Sequence, residues 1–223
     1  MFTYKTFNNI AEDGLAVMAS KEINEVSENP DALILRSHKL VADEFGSNLS
    51  AIARAGAGVN NIPLKDATDL GVVVFNTPGA NANAVKELVI CGMLLSSRGI
   101  VDGINFAKNL DSTDADALNK MLEAQKKTFA GNELTGKTLG IVGLGSIGSM
   151  LAQAAHTLGM RFVGYDPHIS IDSAWRLPRE VEKAETLEDL LKQSDYVSLH
   201  VPLVEATKNL INANNLKYFK SGS

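Results

Sequence analysis

A glycine-rich loop between an apolar run and a predicted helix limits the possible fold more than any other feature of the sequence. The apolar run Thr138–Val142 leads directly into residues 143–148, whose sequence is GLGSIG. Small and apolar residues then recur at the spacing of one helix face until Gly159, which can end the helix. A second predicted strand, Arg161–Tyr165, follows and leads into Asp166. This order of strand, glycine loop, helix and strand ending in an acidic residue is typical of a dinucleotide-binding unit.

Each part of this pattern has a physical role in holding a dinucleotide. Gly143 permits a tight turn, Gly145 lets the backbone approach a pyrophosphate, and Gly148 lets helix and strand pack closely. The amides at the helix start, at the positive end of its dipole, can hold the phosphates. Asp166 would accept hydrogen bonds from the adenosine ribose hydroxyls and repel a 2′-phosphate, which favours NAD over NADP as the cofactor. The alternative is an ordinary strand-turn-helix loop that binds no ligand.

Short apolar runs alternate with amphipathic stretches in the N-terminal part of the chain, as in parallel sheets covered by helices. The predicted strands are Thr3–Phe7, Ala32–Leu35, Ala51–Arg54 and 72–75. The last three each lead into a polar or glycine-bearing loop, at 36–37, 56–58 and 76–79. Because ligands of open α/β sheets bind outside the carboxyl ends of the strands, these loops are predicted to face a substrate.

A change of pattern in the middle of the chain predicts two domains, 1–92 and 93–223. A long helix from about Asn83 to Ala107 is expected to link them. The more polar segment 111–132 that follows predicts a surface helix and a connecting loop.

An apolar run within that helix, 88–95, is far shorter than the roughly 20 residues needed to cross a bilayer. A buried helix is therefore expected. Cys91 lies inside the run and is expected to be a small buried hydrophobe. As the single cysteine, it excludes a disulfide or a cysteine metal site within one chain.

The composition excludes several other classes of protein. Hydrophobic residues make up 45% of the 223 residues and charged residues 21%, which is typical of globular proteins and argues against disorder. The net charge of −5 gives no electrostatic reason to expect nucleic acid or an anionic membrane as a partner. The N-terminus lacks the basic and apolar regions of a secretory signal, so a cytoplasmic location is expected.

Four motifs, in the order in which they occur, resemble the successive signatures of D-2-hydroxyacid dehydrogenases. They are 54–61 (RAGAGVNN), 76–78 (NTP), the glycine loop with 165–167 (YDP), and 198–203 (SLHVPL). The resemblance covers nearly the whole chain, and the stretch from Arg36 to Asn81 is most similar to phosphoglycerate dehydrogenases. It implies an α/β protein, with a flavodoxin-like substrate domain followed by a Rossmann-type, doubly wound NAD-binding domain, in a homodimer. Asn60 departs from the family pattern, which often has Asp there.

The resemblance also implies roles for two groups of residues. The residues expected to contact NAD are Ala57, Gly143, Gly145, Ser146, Ile147, Gly148, Asp166, His200, Val201 and Pro202. Those expected to bind the substrate are Arg36, Ser37, Arg54, Gly56, Ala57, Gly58 and Asn81. An arginine pair suits a small molecule with a phosphate and a carboxylate, since each guanidinium offers paired donors. The alternative for each arginine is a solvated surface residue or a structural ion pair.

No catalytic residue and no metal ligand is assigned in this chain. Hydride transfer at a hydroxyl-bearing carbon needs a proton acceptor, usually His, and an Arg that holds the carboxylate. In the family these residues follow the position where this chain ends, so a C-terminally incomplete NAD-binding domain is expected, with the strand at 196–201 on an exposed sheet edge. The four histidines are not assigned to acid–base chemistry. His38, His156 and His168 are expected at the surface and His200 in the nucleotide cleft.

The leading hypothesis is an NAD-dependent oxidation of 3-phosphoglycerate to 3-phosphohydroxypyruvate in serine biosynthesis. Another D-2-hydroxyacid dehydrogenase, acting on glycerate or lactate, is the close alternative. A non-catalytic NAD-binding protein on the same scaffold, or a fragment without any ligand, are alternatives of a different class. The sequence leaves open the reaction direction, the oligomeric state and the presence of a regulatory domain in the parent protein.

Overall fold

A computed structural model describes residues 2–223, and the chain divides into two compact units, Met1–Asn81 and Ala82–Ser223. The boundary expected from the sequence, between residues 92 and 93, lies inside a helix of the second unit. The functional division into a substrate domain and an NAD-binding domain stays a prediction.

The N-terminal unit is built on a parallel five-stranded sheet. Its strands are β1 (Thr3–Phe7), β2 (Asn24–Glu25), β3 (Ala32–Leu35), β4 (Ala51–Arg54) and β5 (Val73–Asn76). The order β2-β1-β3-β4-β5, with every neighbouring pair parallel, is the flavodoxin-like order and confirms the predicted fold. The connections contain helices α1 (Glu12–Ser20) and α2 (Leu64–Asp69) and a 3-10 helix at Ala42–Glu44.

The strand bounds in this unit follow closely from the apolar runs. β1, β3 and β4 have the predicted bounds, and β5 begins one residue later than predicted. The two-residue strand β2 was missed because so short a segment shows no hydrophobic period.

The core of the N-terminal unit forms where β3 and β4 meet the surrounding loops. Leu33 and Leu35 of β3 alternate with half-buried neighbours, and Ile52 of β4 packs against them. Leu40 and Ile62, from two of the loops, also belong to this cluster. Because the strands are parallel, the polar residues that follow them lie at one edge of the sheet, outside this core.

The second unit holds a four-stranded parallel sheet and most of the helices. Its strands are β6 (Thr138–Val142), β7 (Arg161–Tyr165), β8 (Glu182–Lys183) and β9 (Tyr196–Leu199). Its helices are α3 (Ala82–Ser97), α4 (Ile100–Lys108), α5 (Ala115–Gln125), α6 (Ser146–Thr157), α7 (Ile171–Ala174) and α8 (Leu187–Gln193), with 3-10 helices at Lys126–Phe129 and Leu216–Tyr218. The sheet order β8-β7-β6-β9 is the 3-2-1-4 order with which a doubly wound Rossmann sheet begins, as predicted.

Strand β6 is buried along its whole length because helices cover both faces of the sheet. Leu139 and Ile141 pack with Leu151 of α6 on one side. On the other side, a Cβ at Gly140 would lie 2.6 Å from Leu190 of α8, so the glycine allows that helix to approach the strand closely. The fold thus fixes the end of β6, where the glycine loop starts.

The long linking helix predicted over residues 83–107 is in fact two helices, α3 and α4, separated at Arg98 and Gly99. The break between the two helices is caused by contacts with a segment that is distant in sequence. A Cβ at Gly99 would lie 2.7 Å from the Cα of Phe129, and one at Gly131 would lie 2.1 Å from the carbonyl oxygen of Ser97. The chain segment around 129–131 therefore packs against the break, and a continuous helix would collide with it.

The expectation that the apolar run 88–95 is buried was wrong in the described chain. Leu88 is 72% exposed, Leu94 40% and Leu95 41%, while Met93 is buried. Cys91 is exposed as well, so it is not the small buried hydrophobe that was predicted. The apolar positions occupy more of the helix surface than the single stripe that packs against α6 can bury.

The remaining differences from the predicted elements are small. The expected surface helix at 111–132 is α5 with the 3-10 helix after it, and the strand predicted at 196–201 ends at Leu199. Within residues 2–223, no helix combines the length and apolar character needed to span a membrane.

Candidate functional site

Gly143 begins the turn that follows β6 and has a left-handed backbone, with φ of 89°. A Cβ here would lie 2.7 Å from the carbonyl oxygen of His200 and 2.9 Å from the Val201 side chain. Its amide donates to the carbonyl oxygen of Tyr165 at 2.9 Å. Glycine is therefore required both by the turn and by the close approach of the chain after β9.

Gly145 and Gly148 differ in the reason for which each is a glycine. A Cβ at Gly148 would lie 2.1 Å from the carbonyl oxygen of Gly143, so a side chain would push helix α6 away from the loop. A Cβ at Gly145 would meet none of the described atoms within 4 Å, and its φ of −69° is an ordinary value. Neither packing nor strain requires glycine at 145, and its missing side chain leaves space against the backbone for a ligand.

Helix α6 presents its N-terminus to this space. The N-cap is Gly145, which has no side chain to accept from the first-turn amides, and Ser146 and Ile147 are the first helical residues. Ser146 is exposed and Ile147 half-buried. Free amides and a positive helix dipole at the start of a twelve-residue helix form a site for a phosphate group.

Asp166, at the end of β7, lies beside the glycine loop. One carboxylate oxygen accepts from the Leu144 amide at 2.8 Å, and the other accepts from the His168 amide at 3.0 Å. These bonds fix the plane of the carboxylate, and each oxygen keeps a further lone pair for a hydroxyl donor. The half-buried carboxylate can accept from the paired hydroxyls of a ribose and repels an added phosphate.

His200 closes the other side of the loop. Its amide donates to the carbonyl oxygen of Val142 at 2.7 Å, and its ring Nε2 lies 2.8 Å from the Ser198 hydroxyl. Burial lowers the pKa of His200, so its imidazole is neutral at neutral pH. Val201 is half-buried and Pro202 exposed at the same edge.

The second unit thus brings the predicted cofactor residues together at the carboxyl ends of its strands. The exception is Ala57, which belongs to the N-terminal unit. There, the Ala57 carbonyl oxygen accepts from the Asn76 side chain at 2.7 Å.

The N-terminal unit has its own open cavity, of about 890 Å³. Of the predicted substrate residues, the ones that line it are Arg36, Ser37, Arg54, Gly56 and Asn81. Ala57 and Gly58 are not among the lining residues. Sequence reasoning missed several others, among them Asn9, whereas Thr77 lies in the loop 76–79 that was predicted to face a substrate. Asn9 follows β1, whose loop the sequence analysis did not include among the candidate loops.

The lining of this cavity is cationic. Among the described residues that form it, two are arginines and none is acidic. Arg54 donates through Nε to the carbonyl oxygen of Arg36 at 3.1 Å. A Cβ at Gly56 would lie 1.5 Å from Nη1 of Arg54, so the guanidinium occupies the place that a side chain at 56 would take. The remaining guanidinium donors are therefore held at the cavity rather than free in solvent.

One of the four histidines, His38, lies in an environment that differs from the predicted one. His38 was predicted at the surface but is half-buried, stacked on Phe7 with ring centroids 4.2 Å apart and bonded to Glu44 at 2.9 Å. Burial tends to raise the pKa of Glu44, but the Val41 amide and His38 outweigh this effect and hold the pKa below its usual range. His156 and His168 are exposed, as predicted. No group of three metal-binding side chains is found among residues 2–223.

Comparison with known proteins places this geometry in a family. Residues 102–223 match the family model described as the NAD binding domain of D-isomer specific 2-hydroxyacid dehydrogenases. A hydroxypyruvate reductase from Thermotoga maritima is 39% identical over 204 residues, which cover 90% of this chain and 61% of that protein. A D-3-phosphoglycerate dehydrogenase from Methanocaldococcus jannaschii is 35% identical over 209 residues, covering 92% of this chain and 37% of that protein. The chain therefore spans less than two thirds of the length of these relatives.

Solved structures with the same fold cover nearly the whole chain. The TT0316 protein from Thermus thermophilus is 25% identical with a TM-score of 0.79, covering 98% of this chain and 71% of that one. D-mandelate dehydrogenase from Rhodotorula graminis, in its apo form, is 25% identical with a TM-score of 0.77, covering 100% of this chain and 72% of that one. The family match over more than half of the chain agrees with the glycine loop, the acidic residue and the order of the strands. The chain belongs to the D-isomer specific 2-hydroxyacid dehydrogenase family, with NAD as the cofactor of its second unit.

Proposed function

We propose that the protein serves an NAD-dependent oxidation of a D-2-hydroxy acid, and that this acid is 3-phosphoglycerate, which becomes 3-phosphohydroxypyruvate in serine biosynthesis. The observation that carries the substrate proposal is the cavity of the N-terminal unit, which is lined by Arg36 and Arg54 and by no acidic residue of the described chain. The relatives named D-3-phosphoglycerate dehydrogenase support it.

The charge of the cavity suits a molecule with two anionic groups. A guanidinium offers a planar set of donors that matches a carboxylate or a phosphate. Arg36 and Arg54 can therefore bind one group each, with Ser37 and Asn81 as neutral donors. Glycerate and lactate have only a carboxylate, so they would leave one arginine without an anion.

For the cofactor, we assign the phosphates to the amides of Ser146 and Ile147 at the start of α6, beside Gly145. Asp166 then accepts from the adenosine ribose, and His200, Val201 and Pro202 line the edge of the site. When bound, NAD supplies the hydride acceptor. Ala57 and Gly58 are assigned to ligand contacts from the resemblance alone.

A second candidate function is the reduction of hydroxypyruvate. It is favoured by one observation, the 39% identity to the hydroxypyruvate reductase of Thermotoga maritima. That substrate has a carboxylate but no phosphate, so the two candidates differ in what the second arginine must bind.

The two candidates are separated by titrating the 223-residue chain with 3-phosphoglycerate and with D-glycerate in a calorimeter. A charge-assisted pair contributes about 1.5–3 kcal/mol, so the phosphorylated acid should bind roughly 10- to 100-fold more tightly. Of Arg36→Ala and Arg54→Ala, the variant that loses the phosphate-binding arginine should lose much of that preference, and the other should bind both acids more weakly. Lys65→Ala, which removes a positive charge from the exposed surface of the same unit, should leave it unchanged. Equal affinity for the two acids, unchanged in both arginine variants, would exclude the phosphoglycerate proposal.

We further propose, from the family resemblance, that the protein is a homodimer in the cytoplasm. Sedimentation at several concentrations gives the oligomeric state directly, and a monomer at all of them would overturn the dimer.

A further inference from the structure

We propose that Asn8 and Asn61 are positioning residues, which clamp the backbone of residues 36–38 so that Arg36 and Ser37 face the anion cavity of the N-terminal unit. The inference rests on the proposed function, because that function gives the cavity an anionic substrate.

Asn8 holds the amide side of this segment. It follows β1, and its side-chain oxygen accepts from the Ser37 amide at 2.9 Å and from the His38 amide at 2.8 Å. One oxygen thus uses both lone pairs on two consecutive amides. Asn8 has φ of 69°, a left-handed conformation that asparagine and glycine adopt more readily than other residues.

Asn61 holds the carbonyl side. Its Nδ2 donates to the carbonyl oxygen of His38 at 2.7 Å and lies 3.5 Å from that of Arg36. Because both partners are acceptors, only the amide nitrogen can face them. Its Oδ1 is buried and has no hydrogen-bond partner among the described residues. A buried acceptor without a partner lowers stability. The hydrogen bonds that Nδ2 donates to the segment 36–38 therefore explain an asparagine at this position better than a gain in stability does.

Two further contacts complete the restraint. Arg54 Nε donates to the Arg36 carbonyl oxygen, so the two cavity arginines are linked through the clamped segment. At its other end, the His38 ring lies between Phe7 and Glu44. The segment 36–38 lies outside the strands, and yet side chains hold two of its amides and two of its carbonyl groups.

The clamp therefore preorganises Arg36, although this residue lies on a loop. A loop that is ordered on folding does not have to be ordered again when the anion binds, so less of the binding energy is lost. Without the clamp, the Arg36 backbone would be mobile in the free protein, and anion affinity should fall without the loss of any direct contact.

The sharpest test is Asn8→Gly, because glycine adopts the left-handed backbone without strain and lacks the side-chain acceptor. Asn29→Gly is a matched control. Asn29 also has positive φ, 44°, and its side-chain oxygen accepts from the Asn48 amide at 3.3 Å, but it does not line the cavity. Calorimetric titration of the 223-residue chain with 3-phosphoglycerate should show affinity about tenfold weaker for Asn8→Gly and unchanged for Asn29→Gly.

A double-mutant cycle separates positioning from a general loss of structure. In an Arg36→Ala background, Asn8→Gly should have a clearly smaller effect, since the charged group that it positions is gone and only the neutral Ser37 remains. Asn61→Ala should also weaken the binding of 3-phosphoglycerate, and this loss should likewise be smaller in the Arg36→Ala background. The melting temperature of Asn61→Ala should fall little, because the substitution also removes the unpaired Oδ1. Unchanged affinity in Asn8→Gly, or the same fold-loss with and without Arg36, would overturn the proposal.

Hydrogen exchange of the Ser37 and His38 amides provides a readout that needs no ligand. Both should be protected in the wild-type chain and exchange faster in Asn8→Gly. If the wild-type chain binds neither 3-phosphoglycerate nor inorganic phosphate, the proposed function is excluded. The exchange rates of the Ser37 and His38 amides then test the clamp by themselves. Equal exchange of these amides in wild type and variant would overturn it.

Discussion

At the scale of single residues, two glycines of the loop 143–148 have different roles, one in packing and one in leaving space for a ligand. Gly148 is required by packing, because its Cα faces the carbonyl oxygen of Gly143 at a distance that excludes a Cβ. Gly145 has an ordinary backbone conformation and open space beside it. The same residue type therefore serves the fold at one position and ligand access at the other.

Two alanine variants test this separation. Gly145→Ala should keep the melting temperature of the wild-type chain and weaken NAD binding by about tenfold or more, a loss of about 1.4 kcal/mol. Gly148→Ala should lower the free energy of unfolding by roughly 1–3 kcal/mol, as expected for overpacking. Differential scanning calorimetry and NAD titration measure both quantities. Similar stability and similar NAD affinity in the two variants would contradict the assignment.

Single residues also mark the limit of sequence reasoning about the site. The acidic residue after β7 was predicted from its position at the end of the strand that follows the glycine loop and helix, and the arginine pair was predicted from the family resemblance. Asn8 and Asn61 were not predicted as site residues, because they act through hydrogen bonds to the backbone of residues 36–38, which are distant from both in sequence. His38 was placed at the surface because no pattern in the sequence indicates its stacking on Phe7.

At the scale of elements, both units begin their sheets with the same arrangement. The first residue of β1, Thr3, donates its amide to Asp31, which directly precedes β3, at 2.7 Å. The first residue of β6, Thr138, donates its amide to Asp195, which directly precedes β9, at 2.8 Å. Each carboxylate thereby fixes the register of the first strand against a neighbour that is far away in sequence.

These carboxylates predict a loss of stability in acid. Hydrogen bonds from Thr3, its hydroxyl first, lower the pKa of Asp31. Burial tends to raise the pKa of Asp195, but the Thr138 amide and Lys220 outweigh it, and the pKa lies below its usual range. A lowered folded-state pKa gives stability that is present above the unfolded-state pKa and is lost as the pH falls through the folded value.

The free energy of unfolding should accordingly decline as the pH falls below about 4, where unfolded carboxyls take up protons. In Asp195→Asn the decline should be smaller, because this carboxyl no longer titrates. Asp172→Asn, which removes an exposed carboxyl on α7, is the control and should keep the wild-type slope. Denaturant unfolding at several pH values measures this, and an unchanged slope in Asp195→Asn would contradict the role of its carboxylate.

The elements also show why most, but not all, of the fold follows from the sequence. Strands β1, β3, β4, β6 and β7 were predicted with their correct bounds, because an apolar run between polar or glycine-bearing turns is a local signal. The break between α3 and α4 depends on the contact of Gly99 with Phe129, which no local pattern shows. The exposure of Cys91 likewise depends on which face of α3 meets α6, and the evenly apolar sequence does not specify it.

At the scale of the whole molecule, two parallel sheets of different strand order each place their candidate site at the carboxyl ends of the strands. The N-terminal unit holds a cavity lined by two arginines, and the second unit holds the glycine loop with Asp166. The family match covers most of the second unit, and a solved structure with the same fold covers 98% of the chain. Chemically, one unit offers cations to an acid and the other offers amides and a carboxylate to a dinucleotide.

Titration of the 223-residue chain with NAD in a calorimeter tests the dinucleotide site most directly. We expect saturable binding of one NAD per chain, weakened by about tenfold or more in Asp166→Ala, since the carboxylate accepts from the ribose and also holds the Leu144 amide of the loop. Asp102→Ala, which removes an exposed carboxylate on α4, should bind like the wild type. Absence of NAD binding, or equal affinity in the wild type and Asp166→Ala, would contradict the assignment of this site.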